Sequence, residues 1–553
     1  MLDRGPTLRA DNHWHLREIA GHGAALIQWA FHGFGLGSHQ HANISGLGTR
    51  LLSLRLGDPA IAEEIARGKF SFAGETVTGI PIQIFDQVPP STDWAQSLHN
   101  LSWLQHFVAG DHELHRIVAR SLIVKWGEQR QFLWAAPIHF RALISLSCAA
   151  HFLVGPSPSS FKEPFLALVE KLIRRALFVR PNTGPDRLLQ AIALQYASLA
   201  FRSSPALRDD ANAKFCAEIN QVILPDGGHV SRDPLALLET LLEIIPVQTA
   251  MGENREPVPQ PLNAAIERMV PMLRMLSHGD GGLSNFQGSG AADLNGIKAI
   301  LAQDKVHGQP LLLAPHSGYC RLAHRAGLLI MDVGAPKKCN SALAFEFSEG
   351  PHRIISNCGM PLTASTAWQD AASGIAAHNT IEIAGLSNHV ENRPQAEVIN
   401  SPLGTLINSR NRISNGTGAI IHERKIFLSQ NGRDLRGEDH CHEEDTEKSS
   451  ANDRAFTIRF HLHPAVKATS IRRGTKFVIV LPNRAAWQFS ARGGNLSLEE
   501  SIYLADDGGP RKTLQIAIRG STGNTGPIKW ALRRVEKAAN AEEDMAETPR
   551  LPF

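Results

Sequence analysis

The sequence predicts an α+β multidomain protein: an incomplete N-terminal (α/α) toroid followed by a C-terminal antiparallel β-sandwich. Three observations lead there. The chain has 553 residues, more than one core supports, because single domains stop growing near ~250–300 residues. From about Asp93 to His278 apolar residues recur at helical spacing. From about Gly318 onward they alternate with polar ones. The expected organisation is a mixed cap region over 1–90, the toroid over 91–305, the sandwich over 306–535 and a loose tail over 536–553.

In the first 90 residues an apolar patch, GAALIQWAFHGFGL, precedes a short alternating run, GETVTGIPIQIF, which suits a cap or a small hairpin. The helical segments follow: EPFLALVEKLIRRALF, DRLLQAIALQYASLAF, RDDANAKFCAEINQVI, PLALLETLLEII and NAAIERMVPMLRML, each with an apolar stripe. Between them VGPSPSS and RPNTGPD stop one helix and start the next, so neighbours run antiparallel. The helices are numerous and of similar length, with no strict repeat, which favours a ring of hairpins over a solenoid.

After HGDGGLSNFQGSG come LAFEFSEG, HRIISNCG, NTIEIAG, RKIFLSQNGRDL, FTIRFHLHP, KFVIVLP, WQFSA and TLQIAIRG. In LAFEF, Leu343, Phe345 and Phe347 point one way and Ala344 and Glu346 the other, the pattern of a sheet with one face on a core. GEDHCHEEDTEKSSANDR reads as an exposed loop, and KAANAEEDMAETPRLPF as a solvated end.

Composition narrows the function. A hydrophobic share of 43% and a charged share of 20% are those of a globular protein. A net charge of +3 gives no basic field for nucleic acid, yet a few Arg and Lys in one groove would suit an anionic sugar polymer. The six cysteines contain no CxxC pair and read as reduced, mostly buried thiols. With no signal-peptide pattern and no spanning apolar run, the expected location is cytoplasmic.

Several phrases carry a resemblance: WAQSLHNLSWLQH, ILPDGGHVSRDPLALLETLLEIIP, RMVPMLRMLSHGDGGLSNFQG, HSGYCRL, LAFEFSEGPHRIISNCG, AAHNTIEI and FHLHPAV. Nearly end to end the chain resembles the heparinase II/III family, in particular its shorter bacterial members. The resemblance implies a groove in which an anionic, uronic-acid polysaccharide or oligosaccharide is cut by β-elimination. It also implies periplasm or cell envelope as the alternative location. Elimination needs donors that neutralise the uronate carboxylate, a base for the C5 proton and an acid for the leaving oxygen.

Two phrases supply candidates. The turn Pro225–Pro234 presents His229, Ser231 and Arg232 between two helices, where a polar inter-helix turn with Arg232 paired to Asp226 or Asp233 is the plainer reading. The phrase His378-Asn379-Thr380 opens an alternating strand and resembles the family's His-Asn-Thr. The resemblance makes His229 and His378 the proton-handling pair, with Ser231, Arg232 and Asn379 binding substrate. It also places a Tyr-His pair just after the turn, where this chain has Ala236 and Leu237, neither able to move a proton. A replacement acid is then Tyr319, otherwise a packed ring, or a histidine.

In the helical half His106 and Arg141 are further substrate-binding candidates, with Trp94, Trp103 and Trp134 as stacking faces and packing as the ordinary alternative. No cofactor is required; a structural divalent metal, zinc or calcium, is kept open for the sandwich, where His461 and His463 share a strand face. Those two are read as surface histidines and His440, Cys441 and His442 as chance neighbours in the polar insertion. A homodimer is the assembly kept open. Three functions compete: a lyase acting on an anionic glycan, a catalytically degenerate glycan-binding protein on the same fold, and a glycoside hydrolase using Asp226 and Asp233.

Overall fold

The computed structural model describes residues 42–129, 135–155, 160–304, 308–361, 366–386, 394–414, 419–443, 453–523 and 526–535. Trp134, the GAALIQWAFHGFGL patch and the C-terminal tail lie outside the described residues. The chain divides into two compact units, one built mainly from residues 58–70 and 78–215, the other mainly from 216–553.

The first unit is helical. Its helices are α1 (Pro59–Ala66), α2 (Thr92–His99), α3 (Leu104–Gly110), α4 (Glu113–Glu128), α5 (Ala136–Val154), α6 (Lys162–Phe178) and α7 (Gly184–Ala200), and α8 (Pro205–Val222) runs on into the second unit. Strand β1 (Ile44–Leu47) pairs with β4 (Phe201–Ser203), and β2 (Lys69–Phe72) forms a hairpin with β3 (Glu75–Thr78), which takes only ETVT from GETVTGIPIQIF; most of the rest of that run falls in a 3-10 helix over Pro81–Asp86. The predicted stops hold locally: Thr183 caps α7 through the Asp186 N–H, with Pro185 in the first turn. Trp94 and Trp103 are fully buried and donate their indole N–H groups to the carbonyls of Phe70 and Leu98, so both are core rather than stacking faces.

The second unit opens with α9 (Pro234–Glu253), α10 (Gln260–Met275) and α11 (Leu294–Gln303); α12 (Thr366–Ser373) lies further along. By length and composition α5 and α9 could each cross a membrane, contrary to the expectation of no such stretch, and 72% and 61% of their apolar windows are buried within the protein.

Three antiparallel sheets follow. The first is β5 (Leu313–Ala314), β6 (Tyr319–His324), β7 (Gly327–Asp332), β8 (Phe345–Glu349) and β9 (His352–Ile355), in that order. The second orders β10 (Ile381–Ile383), β15 (Ala455–His461), β20 (Arg511–Ser521) and β19 (Asn495–Tyr503). The third orders β11 (Gln395–Ser401), β12 (Gly404–Ser414), β13 (Ala419–Ser429), β14 (Asp434–Glu443), β21 (Ile528–Arg534), β18 (Ala486–Arg492), β17 (Lys476–Val480) and β16 (Lys467–Ile471).

One apolar core joins all three, drawing Leu329 and Phe347 from the first sheet, Ile458 and Ile516 from the second, and Ile426 and Phe489 from the third. At its centre the Phe345 and Trp530 rings stack with centroids 5.4 Å apart. Gly437 sits directly opposite Trp530, and a Cβ there would lie 2.1 Å from the indole ring. Gly437→Ala is therefore expected to destabilise this unit by about 1–3 kcal/mol, as overpacking does, measured by urea denaturation.

Strand β14 corrects one expectation. The polar stretch read as a loop is a strand through Glu443, and only its continuation over 444–452 lies outside the described residues. Its polar residues alternate because one face is buried against other polar groups: Asp439, fully buried, accepts from His422 Nε2 at 2.7 Å, Arg424 Nε at 2.6 Å and Trp530 Nε1 at 2.9 Å. Hydrophobic alternation cannot reveal a buried face that is itself polar.

Candidate functional site

Two turns of the same build link the helices of the second unit to its first sheet. In both, an Asp-Gly-Gly sequence follows a long helix: Asp226-Gly227-Gly228 after α8 and Asp280-Gly281-Gly282 after α10. Asp226 Oδ1 accepts the Gly228 N–H at 3.2 Å, and Asp280 Oδ1 the Gly282 N–H at 2.9 Å. The middle glycines have φ of +85° and +84°, a region L side chains rarely enter. The closing bonds match as well: Val230 to Val222 in one, Ser284 to Leu276 in the other. Such a turn aims the next residues away from the helix pair at the sheet.

The first turn docks on β6 and β7. Asp226 Oδ2 accepts the N–H groups of His316 and Ser317, both at 2.7 Å, leaving it no role as a hydrolase acid. Arg232, with φ of +62° and almost fully buried, sends Nε to the Ser317 carbonyl at 2.6 Å, Nη1 to Ala335 and Nη2 to Gly318 and Asp332. Its partner is thus Asp332, not Asp226 or Asp233. Its guanidinium lies 5.0 Å from the centre of the Tyr319 ring, and the Tyr319 hydroxyl donates to the Arg232 carbonyl. Tyr319 is fully buried, and burial drives its pKa well above the ordinary value. At neutral pH this is a neutral, bonded phenol closing a structural clamp.

His229 faces a different environment. Its Nδ1 accepts the Ser231 N–H at 3.1 Å and lies 2.6 Å from Ser231 Oγ, which places the proton of the neutral ring on Nε2. Burial, with Lys338 adding repulsion, lowers its pKa to about 4. Lys338 pairs with Asp233 at 3.0 Å while keeping 56% of its side chain exposed; Asp233 also caps α9 through the Leu235 N–H. Lys337 is exposed too, so two lysines stand at this rim.

The second turn docks on β8 and β9. Glu346, fully buried, accepts from His278 Nε2 at 2.9 Å, the Asn357 N–H at 2.9 Å and the Asn285 N–H at 3.2 Å. Arg353 holds Asp280 through Nε at 2.7 Å and pulls its pKa down to about 2 despite burial. The face of β8 carrying Glu346 and Ser348, read from sequence as the one turned away from the core, is buried against this turn.

His378 stands where the short helix Ile375–Ala377 gives way to β10. It is 2% exposed, and neither ring nitrogen has a hydrogen-bond partner. Burial lowers its pKa to about 4, opposed by the charges of Asp332 and Glu346. Asn379 is consumed internally: Nδ2 donates to the Phe345 carbonyl at 2.9 Å, and Oδ1 accepts the His461 N–H at 2.6 Å. Around His378 the chain is stitched by bonds from the Asn379 N–H to Asn357 Oδ1, from the Cys358 N–H to the Ala377 carbonyl, and from the Met360 N–H to the Ser289 carbonyl. Asn357 Nδ2 and Ser289 Oγ in this stretch are likewise buried without partners. Sequence reading missed both, because an Asn in a strand end and a Ser in a turn carry no spacing signal.

The structure thus gathers His229, Ser231, Arg232 and Tyr319 at one turn and sets His378 and Asn379 at a neighbouring strand end, with no bond joining the two groups. His106 and Arg141 lie in the other unit, where His106 Nδ1 accepts the Asp58 N–H at 2.9 Å and Arg141 is half-buried on α5. His461 is core rather than sheet surface, its nitrogens bonded to Ser501 Oγ and the Ala376 carbonyl. His463 packs edge-on against Tyr503, ring centres 5.0 Å apart. Ala236 and Leu237 form the first turn of α9, with Leu237 buried.

This arrangement is that of a polysaccharide-lyase-like scaffold, and comparison with known proteins agrees. Residues 307–537 match the family described as heparinase II/III-like, C-terminal. A crystal structure of heparinase III superposes with a TM-score of 0.73 at 12% identity, over 96% of this chain and 93% of that one. The heparan sulfate lyase HepC of Pedobacter heparinus gives 0.59 at 14% identity, over 87% and 83%. Among curated proteins, FtsZ-localized protein C of Caulobacter vibrioides is 27% identical over 94% of this chain and 95% of its own length. Residues 307–537 thus carry the heparinase II/III-like C-terminal domain, and the chain shares the fold of heparinase III.

Proposed function

We propose that the protein binds an anionic, carboxylate-bearing glycan on the lyase scaffold without carrying out elimination. The supporting observation is that the acid and the neutralising donors of an elimination site are used up inside the protein. Tyr319 bonds the Arg232 carbonyl, Arg232 bonds three carbonyls and Asp332, and Asn379 bonds backbone. Histidines held near a pKa of about 4 are neutral at pH 7 and lack the imidazolium proton with which a general acid would protonate a leaving oxygen. What remains offers binding: the His229 Nε2–H and the Lys338 ammonium beside it. The name of the Caulobacter relative ties that protein to FtsZ, and we extend to this chain a cytoplasmic post at the division site, with a cell-envelope glycan precursor as ligand.

The test is calorimetry of the full chain against uronic-acid oligosaccharides, with the ultraviolet absorbance of unsaturated uronate followed in parallel. Binding without absorbance is expected. A hydrogen bond to a charged group is worth about 1.5–3 kcal/mol, so Lys338→Ala should weaken binding by about tenfold or more. An absorbance rise abolished by His378→Ala would establish the second reading, a lyase, which the unpartnered His378 ring favours.

A further inference from the structure

The third sheet carries a group that no sugar chemistry calls on. In the antiparallel register of β13 and β14, Glu423 lies directly opposite His440, and His422 opposite Cys441. Side chains of a strand alternate between faces, so Glu423, His440 and His442 share one face while His422, Arg424 and Asp439 occupy the other, buried one. One ligand atom from each of Glu423, His440 and His442 lies within 4.8 Å of the other two, and among the described residues no other three His, Cys, Asp or Glu do this. The two imidazole rings are 5.3 Å apart, tilted by 34°. His442 Nδ1 is shut off from solvent and has no hydrogen-bond partner. Two imidazoles and one carboxylate make a donor set that suits a divalent cation.

We propose that Glu423, His440 and His442 bind a divalent transition metal, zinc by preference, with a water in the fourth position. Metal–nitrogen and metal–oxygen bonds would be about 2.0–2.2 Å, and the three side chains are half-buried on their strands, with room to adjust to them. Two imidazoles favour zinc over calcium, which takes oxygen ligands in larger number. The charges facing the group from neighbouring strands are Arg410, directly opposite Glu423, and Arg412, opposite Ile421; Lys425 and Glu438 follow on the same face. Arg410 is exposed. The ion would tie β13 to β14 at the end where β14 leaves the described chain.

The test titrates the metal-stripped full chain with zinc chloride, read by calorimetry, and with cobalt chloride, read by visible absorption. One equivalent should bind, with the intense visible bands of four-coordinate cobalt and a higher melting temperature for the metal-loaded chain. His440→Ala and His442→Ala should each weaken zinc binding by about 100-fold or more, at or beyond the upper end of what loss of a supporting partner costs. His352→Ala, on a different sheet, should leave it unchanged. If the stripped chain takes up no stoichiometric zinc, or if both histidine variants, folded as judged by circular dichroism, bind it as tightly as the parent, the site is overturned.

Discussion

Lowering the pH from 7 to 5 should unfold the sheet-bearing unit far more readily than its carboxylates would predict. Burial holds His229 and His378 near a pKa of about 4 and His461 near about 3, whereas in the unfolded chain each titrates near ~6.5. Above that value the rings are neutral in both states and their contribution is fully present. As pH falls below it, the unfolded chain takes up protons that the folded one refuses, and stability is lost until the folded rings titrate, His229 and His378 near 4 and His461 near 3. Each such proton changes the balance by about 1.4 kcal/mol per pH unit, so three together approach ~4 kcal/mol per unit between pH 6 and 4.5. Asp280, held at about 2 by Arg353, has its unfolded value near ~3.9 and adds its own loss only below that. Urea midpoints from tryptophan fluorescence, which reports the buried Trp487 and Trp530, should fall steeply across this window. His463 is held near about 4 as well, so His461→Gln, which titrates no proton, should flatten the slope by about a quarter at most. A midpoint constant from pH 7 to 5 would show that these rings are less shielded than their burial implies.

The same histidines show what the sequence disclosed and what it concealed. Apolar period alone placed α6, α7, α9 and α10, the strands β10, β15 and β20 of the second sheet and β13, β17 and β18 of the third, because each sets an apolar stripe on a core. It failed where burial is polar. Glu346, Asp439 and His422 sit in faces as dry as any leucine, yet pattern reading assigns such residues to solvent, since their compensation comes from partners far away in the chain: His278 for Glu346, Trp530 for Asp439. The His229 turn was found because glycines and a short polar loop mark it. Its identity with the Asp280 turn lies in backbone bonds, and the sequences share little beyond Asp-Gly-Gly. His378 was found by likeness of phrase; Asn357, inside the phrase LAFEFSEGPHRIISNCG, and Ser289 share its lack of partners, but nothing in their local pattern singles out either residue.

Replacing Arg232 by Leu should cost about 3–5 kcal/mol, the effect of breaking a buried ion pair from one side, and should do so without touching an exposed binding group. The side chain bridges the turn before α9 to β6 and β7, and its loss strands the fully buried Asp332 carboxylate along with the carbonyls of Ser317, Gly318 and Ala335. Asp332 would keep the Gln287 amide, the Ser341 hydroxyl and the Gly334 N–H, so Asp332→Asn in the same chain should restore part of the loss, because a neutral amide needs no countercharge. Lys cannot substitute: one ammonium cannot reach carbonyls on both sides of the clamp as the guanidinium fork does. The space is fixed too, since a Cβ on Gly334 would come within 2.3 Å of the guanidinium carbon. Stability and glycan affinity separate the two roles Arg232 could play. A clamp shows a large fall in the urea midpoint with affinity per folded molecule preserved. A carboxylate-binding arginine shows the reverse, and that outcome would return Arg232 to the list of groups facing the sugar and reopen elimination at this turn.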